Sequence, residues 1–271
     1  MKVVFYPYGG LANRMRSIDS VVNMCKSDDR LSIVWYKDWG MGCDWNELFF
    51  PVDFVYDCPV SKTMRRTFKY YDSKWCVRMA LLILKKLHIL YFCDLDNISK
   101  VDGLKKSWGK YLFCIIRSWE EFCPQKTFHN ELFRIKEDFR LNEELSKIDE
   151  NTVGVHIRRT DNIWSIEHSP LSLFEDRMKK ELHRNPLSNF YVCSDDESVK
   201  EHFRQDFWKD KVKFPTGVIN RTSKEGIVQA ACEMYALSKT QKIYGSYWSS
   251  FGDVAAKLGN IEIEICTNSL S

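Results

Sequence analysis

Four short stretches hold the side chains that could do chemistry. In His156-Ile157-Arg158-Arg159-Thr160-Asp161 two guanidiniums stand between a histidine and a carboxylate. Each guanidinium is permanently charged and presents a planar fork of donors, so two in succession suit a diphosphate. Ser194-Asp195-Asp196 offers paired carboxylates, and Trp248-Ser249-Ser250-Phe251 offers paired hydroxyls. Gly9-Gly10-Leu11-Ala12-Asn13-Arg14 is a glycine turn with an arginine after it. Each stretch also has a plainer reading. The arginines then pair at the surface with Asp161 and the acids at 195 and 196, a contact worth little. Asp196 before Glu197, and Ser249-Ser250 before a helix, are ordinary N-caps. Gly9-Gly10 lacks both the G-x-G-x-x-G spacing and the Walker lysine. His156 reads as a packed strand histidine, Glu233 as the solvated flank of a helix, and Trp45, Phe49 and Phe50 as core or interdomain packing.

Stepping outward, the second half alternates strand and helix signals. Strand-like runs occur at 152–159, 189–194, 211–215, 241–247 and 261–266, and helix-like runs between them at 170–184, 197–207, 223–239 and 249–258. Ser169-Pro170 suits a helix start, Thr222 with Glu225 a capping box, and Gly259 a C-cap. Such alternation needs right-handed crossovers and a mainly parallel sheet, which makes this half a doubly wound α/β domain. The four stretches then fall at strand ends, where open sheets of this kind bind ligands. If the strand has not ended by Arg158, alternation sends Arg158 and Arg159 to opposite faces, and only one of them reaches a ligand. The first half opens the same way, with a strand at 2–6, a helix at 13–26 and a strand at 31–36. It then loses its period, leaving two long helical candidates at 75–90 and 104–122. The polar stretch Ser146–Asn151 divides the chain into domains 1–148 and 149–271.

Composition narrows the function. A chain of 271 residues, 44% hydrophobic and 14% aromatic, can bury a sizeable core. Its 40 basic and 37 acidic residues leave a formal charge of +3, too balanced for coating nucleic acid. The ten cysteines form no C-x-x-C pair and the six histidines no ligand spacing, so neither a zinc site nor a redox dithiol is expected. Met1-Lys2 leads directly into the strand-like run Val3–Tyr6, so a reduced cytoplasmic setting is expected. Residues 61–110 hold twelve basic side chains against four acids. That segment reads either as a solvated basic helix face or as an acceptor-side or membrane-surface element.

The string Gly154-Val155-His156-Ile157-Arg158-Arg159-Thr160-Asp161 resembles the H-x-R-R-x-D signature of the α1,2-, α1,6- and protein O-fucosyltransferase superfamily. Three further resemblances follow in the expected order: the Gly9–Met15 loop, similar to that of the α1,2 enzymes; Ser194-Asp195-Asp196; and Trp248–Phe251, similar to their S-S-F element. The resemblance implies a GT-B-like architecture, two Rossmann-like domains facing a cleft, with an acceptor-side domain first and a GDP-sugar-binding domain second. It implies an inverting, metal-independent transfer of L-fucose from GDP-β-L-fucose, a donor substrate and not a cofactor, to a glycan or lipid-linked oligosaccharide acceptor. On this reading Arg159 binds the β-phosphate and Arg158 is its structural or donor-orienting neighbour, while His156 and Glu233 help hold the guanine. Asp161, Asp195 and Asp196 are the candidate bases, with Asp161 first. Ser249, Ser250 and Phe251, together with Gly9, Gly10, Asn13 and Arg14, complete the donor contacts.

Glu233 stands where aspartate is usual and Gly252 where many α1,2 enzymes have serine. Thr160 is closer to the α1,6 group, so α1,2 and α1,6 linkage both stay open. The short, anchor-free form contrasts with anchored Golgi relatives and suggests a bacterial protein, peripheral at the inner face of the membrane. Two alternatives stand beside this reading: a GT-B transferase using another nucleotide-sugar, and a non-catalytic glycan- or nucleotide-binding scaffold.

Overall fold

The computed structural model describes residues 1–58, 75–95, 100–125, 127–136, 139–217 and 220–268. The chain divides into two compact units, Met1–Lys136 with Arg221–Ile227, and Glu137–Asn220 with Val228–Ser271.

Each unit is built on a five-stranded parallel sheet. In the first, β1 (Lys2–Pro7), β2 (Arg30–Tyr36), β3 (Val55–Cys58), β4 (Leu90–Leu95) and β5 (Phe113–Ser118) lie in the order β3-β2-β1-β5-β4. In the second, β6 (Thr152–Ile157), β7 (Asn189–Ser194), β8 (Val212–Lys213), β9 (Lys242–Gly245) and β10 (Glu262–Ile265) lie in the order β10-β9-β6-β7-β8. The opening strand of each unit is central, and chain order reverses beside it. Loops at such a switch point diverge and leave a crevice at the carboxyl ends of the strands.

All six residues of β6 are buried, and alternation gives its two faces different work. Val153, Val155 and Ile157 pack with Phe174, Met178, Phe190, Val192, Val199 and Phe203. Each such apolar side chain contributes about 1.5–3 kcal/mol by leaving water. Gly154 and His156 point the other way. A Cβ on Gly154 would stand 2.8 Å from Thr240 Oγ1 and 2.9 Å from a Leu237 methyl, and one on Gly252 3.7 Å from His156 Nδ1. Helices Lys224–Leu237 and Ser250–Gly259 therefore cover this second face.

The structure corrects two helices and three caps. The run 104–122 is not one helix: Val101–Ser107 is helical, Gly109 turns the chain at φ 78°, and Phe113–Ser118 is β5. Helix Trp75–Lys86 stops before His88, whose φ is 54°, and β4 begins at Leu90. Short apolar runs of this kind suit a buried strand as well as a helix, and pairing of β5 with β1 and of β4 with β5 decides the matter. Pro170 itself takes the N-cap position of helix Leu171–Arg184, and Ser169 Oγ instead accepts the Tyr247 N–H at 2.8 Å. At helix Lys224–Leu237 the hydroxyl that accepts the Gly226 N–H is that of Ser223. Asn260, at φ 50°, caps the helix that Gly259 ends. Gly259 serves close packing, since a Cβ there would meet Ser238 O at 2.1 Å. Among the described residues no helix is long and apolar enough to cross a membrane.

Candidate functional site

The strand β6 ends at Ile157, so Arg158 and Arg159 are free of strand alternation. The Arg158 N–H donates to Ser246 Oγ at 2.9 Å, and the Arg159 N–H donates to Asp195 Oδ1 at 2.7 Å. These bonds tie the end of β6 to the ends of β9 and β7. Asp195 Oδ2 also accepts the Thr160 hydroxyl at 2.5 Å and pairs with Arg158 Nη1 at 2.6 Å. Asp195 is thus the organiser of the turn. Arg158 pairs in addition with Asp161, whose side chain is exposed.

Arg159 is 9% exposed as a residue. Its Nη1 donates to Arg158 O at 2.8 Å and its Nη2 to Ser169 O at 3.0 Å. Both acceptors are neutral carbonyls, and among the described residues no carboxylate forms an ion pair with it. Burial pulls its pKa down, and Asp195 and Asp196 oppose this only through space. Buried charges are normally paired. This one lacks its counter-ion.

Beside it, His156 stacks on Phe251 with ring centroids 4.8 Å apart and planes 18° from parallel. Its Nδ1 is buried without a partner. Burial, reinforced by the charge of Arg158 and opposed by Asp195, lowers its pKa to about 4, so the ring is neutral at pH 7. Ser249 occupies the N-cap of helix Ser250–Gly259, yet its side chain makes no capping hydrogen bond. The first N–H groups of that helix, with the positive end of its dipole, remain available to an anion. Trp248 precedes it at φ 53°, a conformation that costs a bulky residue about 1–2 kcal/mol. The loop is held by Asn162 Nδ2 donating to Trp248 O at 3.0 Å and the Ser165 hydroxyl donating to Tyr247 O at 2.5 Å.

Glu233 is not a solvated flank. It is 2% exposed, on the helix that covers the His156 face of the sheet. Its Oε1 accepts from Gln229 Nε2 at 3.1 Å. Burial raises its pKa to about 8; the Gln229 bond lowers it and the nearby Glu144 adds to the rise. Asp196 is the N-cap of helix Glu197–Phe203, accepting from Ser198 N at 2.9 Å.

The remaining candidates lie in the first unit. Gly9, at φ 83°, turns the chain between β1 and helix Leu11–Met24, and Asn13 packs beside it. Arg14 is fully buried. It donates to Gly9 O at 2.9 Å, Tyr36 O at 2.8 Å and Asp38 Oδ2 at 2.8 Å, and lies over the rings of Trp35 and Tyr36. It is a buttress that joins the glycine turn to the end of β2.

No protein-family model matches the chain, and no curated protein matches it in sequence. Solved structures do. A mutant of Arabidopsis thaliana FUT1 in complex with GDP is similar over 97% of this chain and 69% of its own, with a TM-score of 0.65 and 19% identity. Fucosyltransferase NodZ from Bradyrhizobium is similar over 94% of this chain and 92% of its own, with a TM-score of 0.61 and 14% identity. POFUT1 in complex with GDP-fucose is similar over 97% of both chains, with a TM-score of 0.52 and 11% identity. The fold is fucosyltransferase-like.

Within this fucosyltransferase-like fold, the second unit gathers Arg158, Arg159, Asp161 and Asp195 at the ends of β6 and β7. His156 and Phe251 lie at the start of helix Ser250–Gly259, and Glu233 lies on the same side of the sheet. Sequence reasoning missed Ser169, Ser246, Glu144 and Gln229. Gln229 carried a usable signal, one helical turn before Glu233 and able to reach it. Glu144 carried none.

Proposed function

We propose that this protein transfers L-fucose from GDP-β-L-fucose to a hydroxyl of an acceptor glycan, forming an α1,2 or α1,6 linkage with inversion and without a metal ion. The observation that carries the reading is Arg159, a buried guanidinium held by neutral carbonyls and short of one anion. Among proteins of similar fold, FUT1 has been solved with GDP and POFUT1 with GDP-fucose. On this reading the second unit holds the donor and the first is the acceptor-side unit.

The acceptor oxygen attacks the anomeric carbon as the bond to the β-phosphate oxygen breaks, and GDP leaves with the bonding electrons. Negative charge gathers on that phosphate, where Arg159 and the N–H and hydroxyl groups of Ser249 and Ser250 stabilise it. Arg158 orients the donor and Asp195 fixes both arginines. Asp161 takes the acceptor's proton. Phe251 and His156 contact the guanine, and Glu233 accepts from its N1–H and N2 amino group.

Incubation of the purified protein with radiolabelled GDP-fucose and GDP-mannose tests this before the acceptor is known, since slow hydrolysis needs only water. Fucose release that Arg159→Ala abolishes is expected; release unchanged in that variant overturns the assignment. In thermal shift GDP should stabilise the protein more than UDP, ADP or CMP. A larger shift from UDP or ADP would favour a transferase using another nucleotide-sugar, and GDP binding without hydrolysis or transfer a scaffold.

A further observation favours a lipid-linked acceptor at an anionic membrane surface, the cytoplasmic leaflet in the bacterial case. Along helix Trp75–Lys86 and the residue after it, Trp75, Met79, Leu82, Ile83 and Leu87 are exposed beside Arg78, Lys85 and Lys86. Residues 61–74 and 96–99 of the basic segment lie outside the described residues. Co-sedimentation with phosphatidylglycerol vesicles at low salt is expected, weakened by high salt. Failure to bind at either salt removes the membrane part and leaves the transfer reading intact.

A further inference from the structure

Beside Glu233 lies a second buried carboxylate that the transfer reaction does not use. Glu144, in helix Phe139–Leu145, is 1% exposed. Its Oε2 accepts from Tyr191 OH at 2.6 Å and Lys147 Nζ at 2.8 Å. Its Oε1 accepts from Thr216 N at 3.0 Å, Thr216 Oγ1 at 3.1 Å and Gln229 Nε2 at 3.2 Å. Burial alone would raise its pKa, but these donors bring it below the ordinary carboxylate range. Glu144 is ionised.

The Gln229 amide therefore bridges two buried carboxylates, giving one hydrogen to each. This fixes Glu233 Oε1 as an acceptor, and among the described residues no donor holds Oε2. Other titratable groups around Glu233 oppose burial and the charge of Glu144 only in part, Lys200 and Lys147 lowering its pKa through space. From β7, Tyr191 and Cys193 stay neutral because burial raises both. Lys147 is engaged by Glu144 and Thr216, and Lys200, on helix Glu197–Phe203, by Glu197. Two buried negative charges sharing one amide cannot both persist cheaply, so the proton sits on the less supported carboxylate.

We propose that Glu144, whose buried charge is held one amide away from Glu233 by Gln229, is a positioning residue that helps keep Glu233 protonated before nucleotide binds and couples guanine-nucleotide binding to release of that proton. The inference rests on the donor reading above. Guanine presents two donors, N1–H and the N2 amino group. A neutral carboxyl presents one donor and one acceptor and clashes with that edge; the carboxylate presents two acceptors and fits it. The proton leaves Glu233 Oε2 for solvent as guanine N1–H takes its place. A neutral Glu233 instead complements the acceptor–donor edge of adenine, so discrimination between the two bases grows with pH.

Isothermal titration of GDP and ADP into the full chain, between about pH 6.5 and 8.5 and in two buffers of different ionisation enthalpy, reads this directly. We expect release of close to one proton per GDP near pH 7. The GDP Kd should tighten by up to about tenfold per pH unit until the pH reaches about 8 and then level. ADP affinity should not rise. Glu233→Gln should abolish both the proton release and the slope. Glu144→Gln should move the levelling point to lower pH, a displacement that a merely structural role would not produce; should Glu144→Gln not fold, Gln229→Met, which removes the hydrogen bond that lowers the Glu233 pKa and leaves the charge of Glu144 in place, should move it to higher pH. Flat GDP affinity with no proton release in the wild type overturns the coupling while leaving the donor reading standing. Equal affinity for GDP and ADP at all pH values sinks the donor reading itself.

Discussion

The two units place an arginine just beyond the central strand of a parallel sheet, and use it in opposite ways. Arg14 is ion-paired to Asp38, donates to two carbonyls and lies over two aromatic rings. Its charge is neutralised within the protein, and its work is structural. Arg159 is also largely buried, but among the described residues its guanidinium donates only to neutral carbonyls. The difference teaches how to separate a cation that supports a fold from one that awaits an anion. Burial does not distinguish them; the presence of a contacting counter-charge does.

The most forceful way to break this comparison is to delete each arginine. Arg14→Ala strands Asp38 and should lower stability by about 3–5 kcal/mol in urea unfolding. Arg159→Ala strands two carbonyls but no opposite charge, so stability should fall by less, about 1–3 kcal/mol, while turnover of GDP-fucose falls roughly a hundredfold or more. Arg159→Lys, which keeps the charge but loses the fork, should remain severely impaired. An Arg14→Ala protein as stable as the parent, or an active Arg159→Ala protein, would erase the contrast.

Next comes pH. The folded-state pKa of His156 is lowered from 6.5 to about 4. The stability this neutral ring contributes is present above pH 6.5 and is lost as pH falls towards 4, by up to about 3 kcal/mol. Glu233 has the opposite sign. Its raised pKa contributes stability that is full below 4.5 and declines as pH rises through about 8. Thermal unfolding across this range should show a shallower acid limb for His156→Gln and a shallower alkaline limb for Glu233→Gln. Unchanged limbs would mean that neither group titrates as its surroundings require.

Smaller effects sharpen the division between capping and binding. Ser249→Ala with Ser250→Ala should weaken GDP roughly tenfold, about 1.4 kcal/mol, without moving the melting temperature. Asp196→Ala should do the reverse, losing about 1 kcal/mol of helix capping with GDP affinity unchanged. Of similar size, Gly9→Ala should cost about 1–2 kcal/mol of stability, chiefly through its positive φ. Calorimetry and melting curves on the same three proteins check all of this.

Much of the second unit was legible because each strand there is a short apolar run bounded by turns and followed by a helix of clear period. The strand at 189–194 falls where its pattern puts it. Strands β4 and β5 were hidden because their alternation is embedded in longer apolar stretches, and only pairing in the sheet chooses between strand and helix. At the site, residue types at strand ends pointed to a diphosphate. What they could not convey is which side chains end up unsatisfied. Arg158 and Arg159 are neighbours of identical type, and only the fold gives one of them two carboxylates and the other two carbonyls. Glu233 looked like a flank because its burial depends on Glu144 and Gln229, one of them far away in the chain.

The central place of β6 also governs how the second unit must assemble. This strand leaves the ribosome before its neighbours, yet Gly154 must find Ile243, late in the chain, to complete its far edge. Until then β6 exposes a row of unpaired peptide groups bordered by Val153, Val155 and Ile157, a template for adhesion to other chains. Nascent chains halted before residue 241 are therefore the ones most in need of a chaperone.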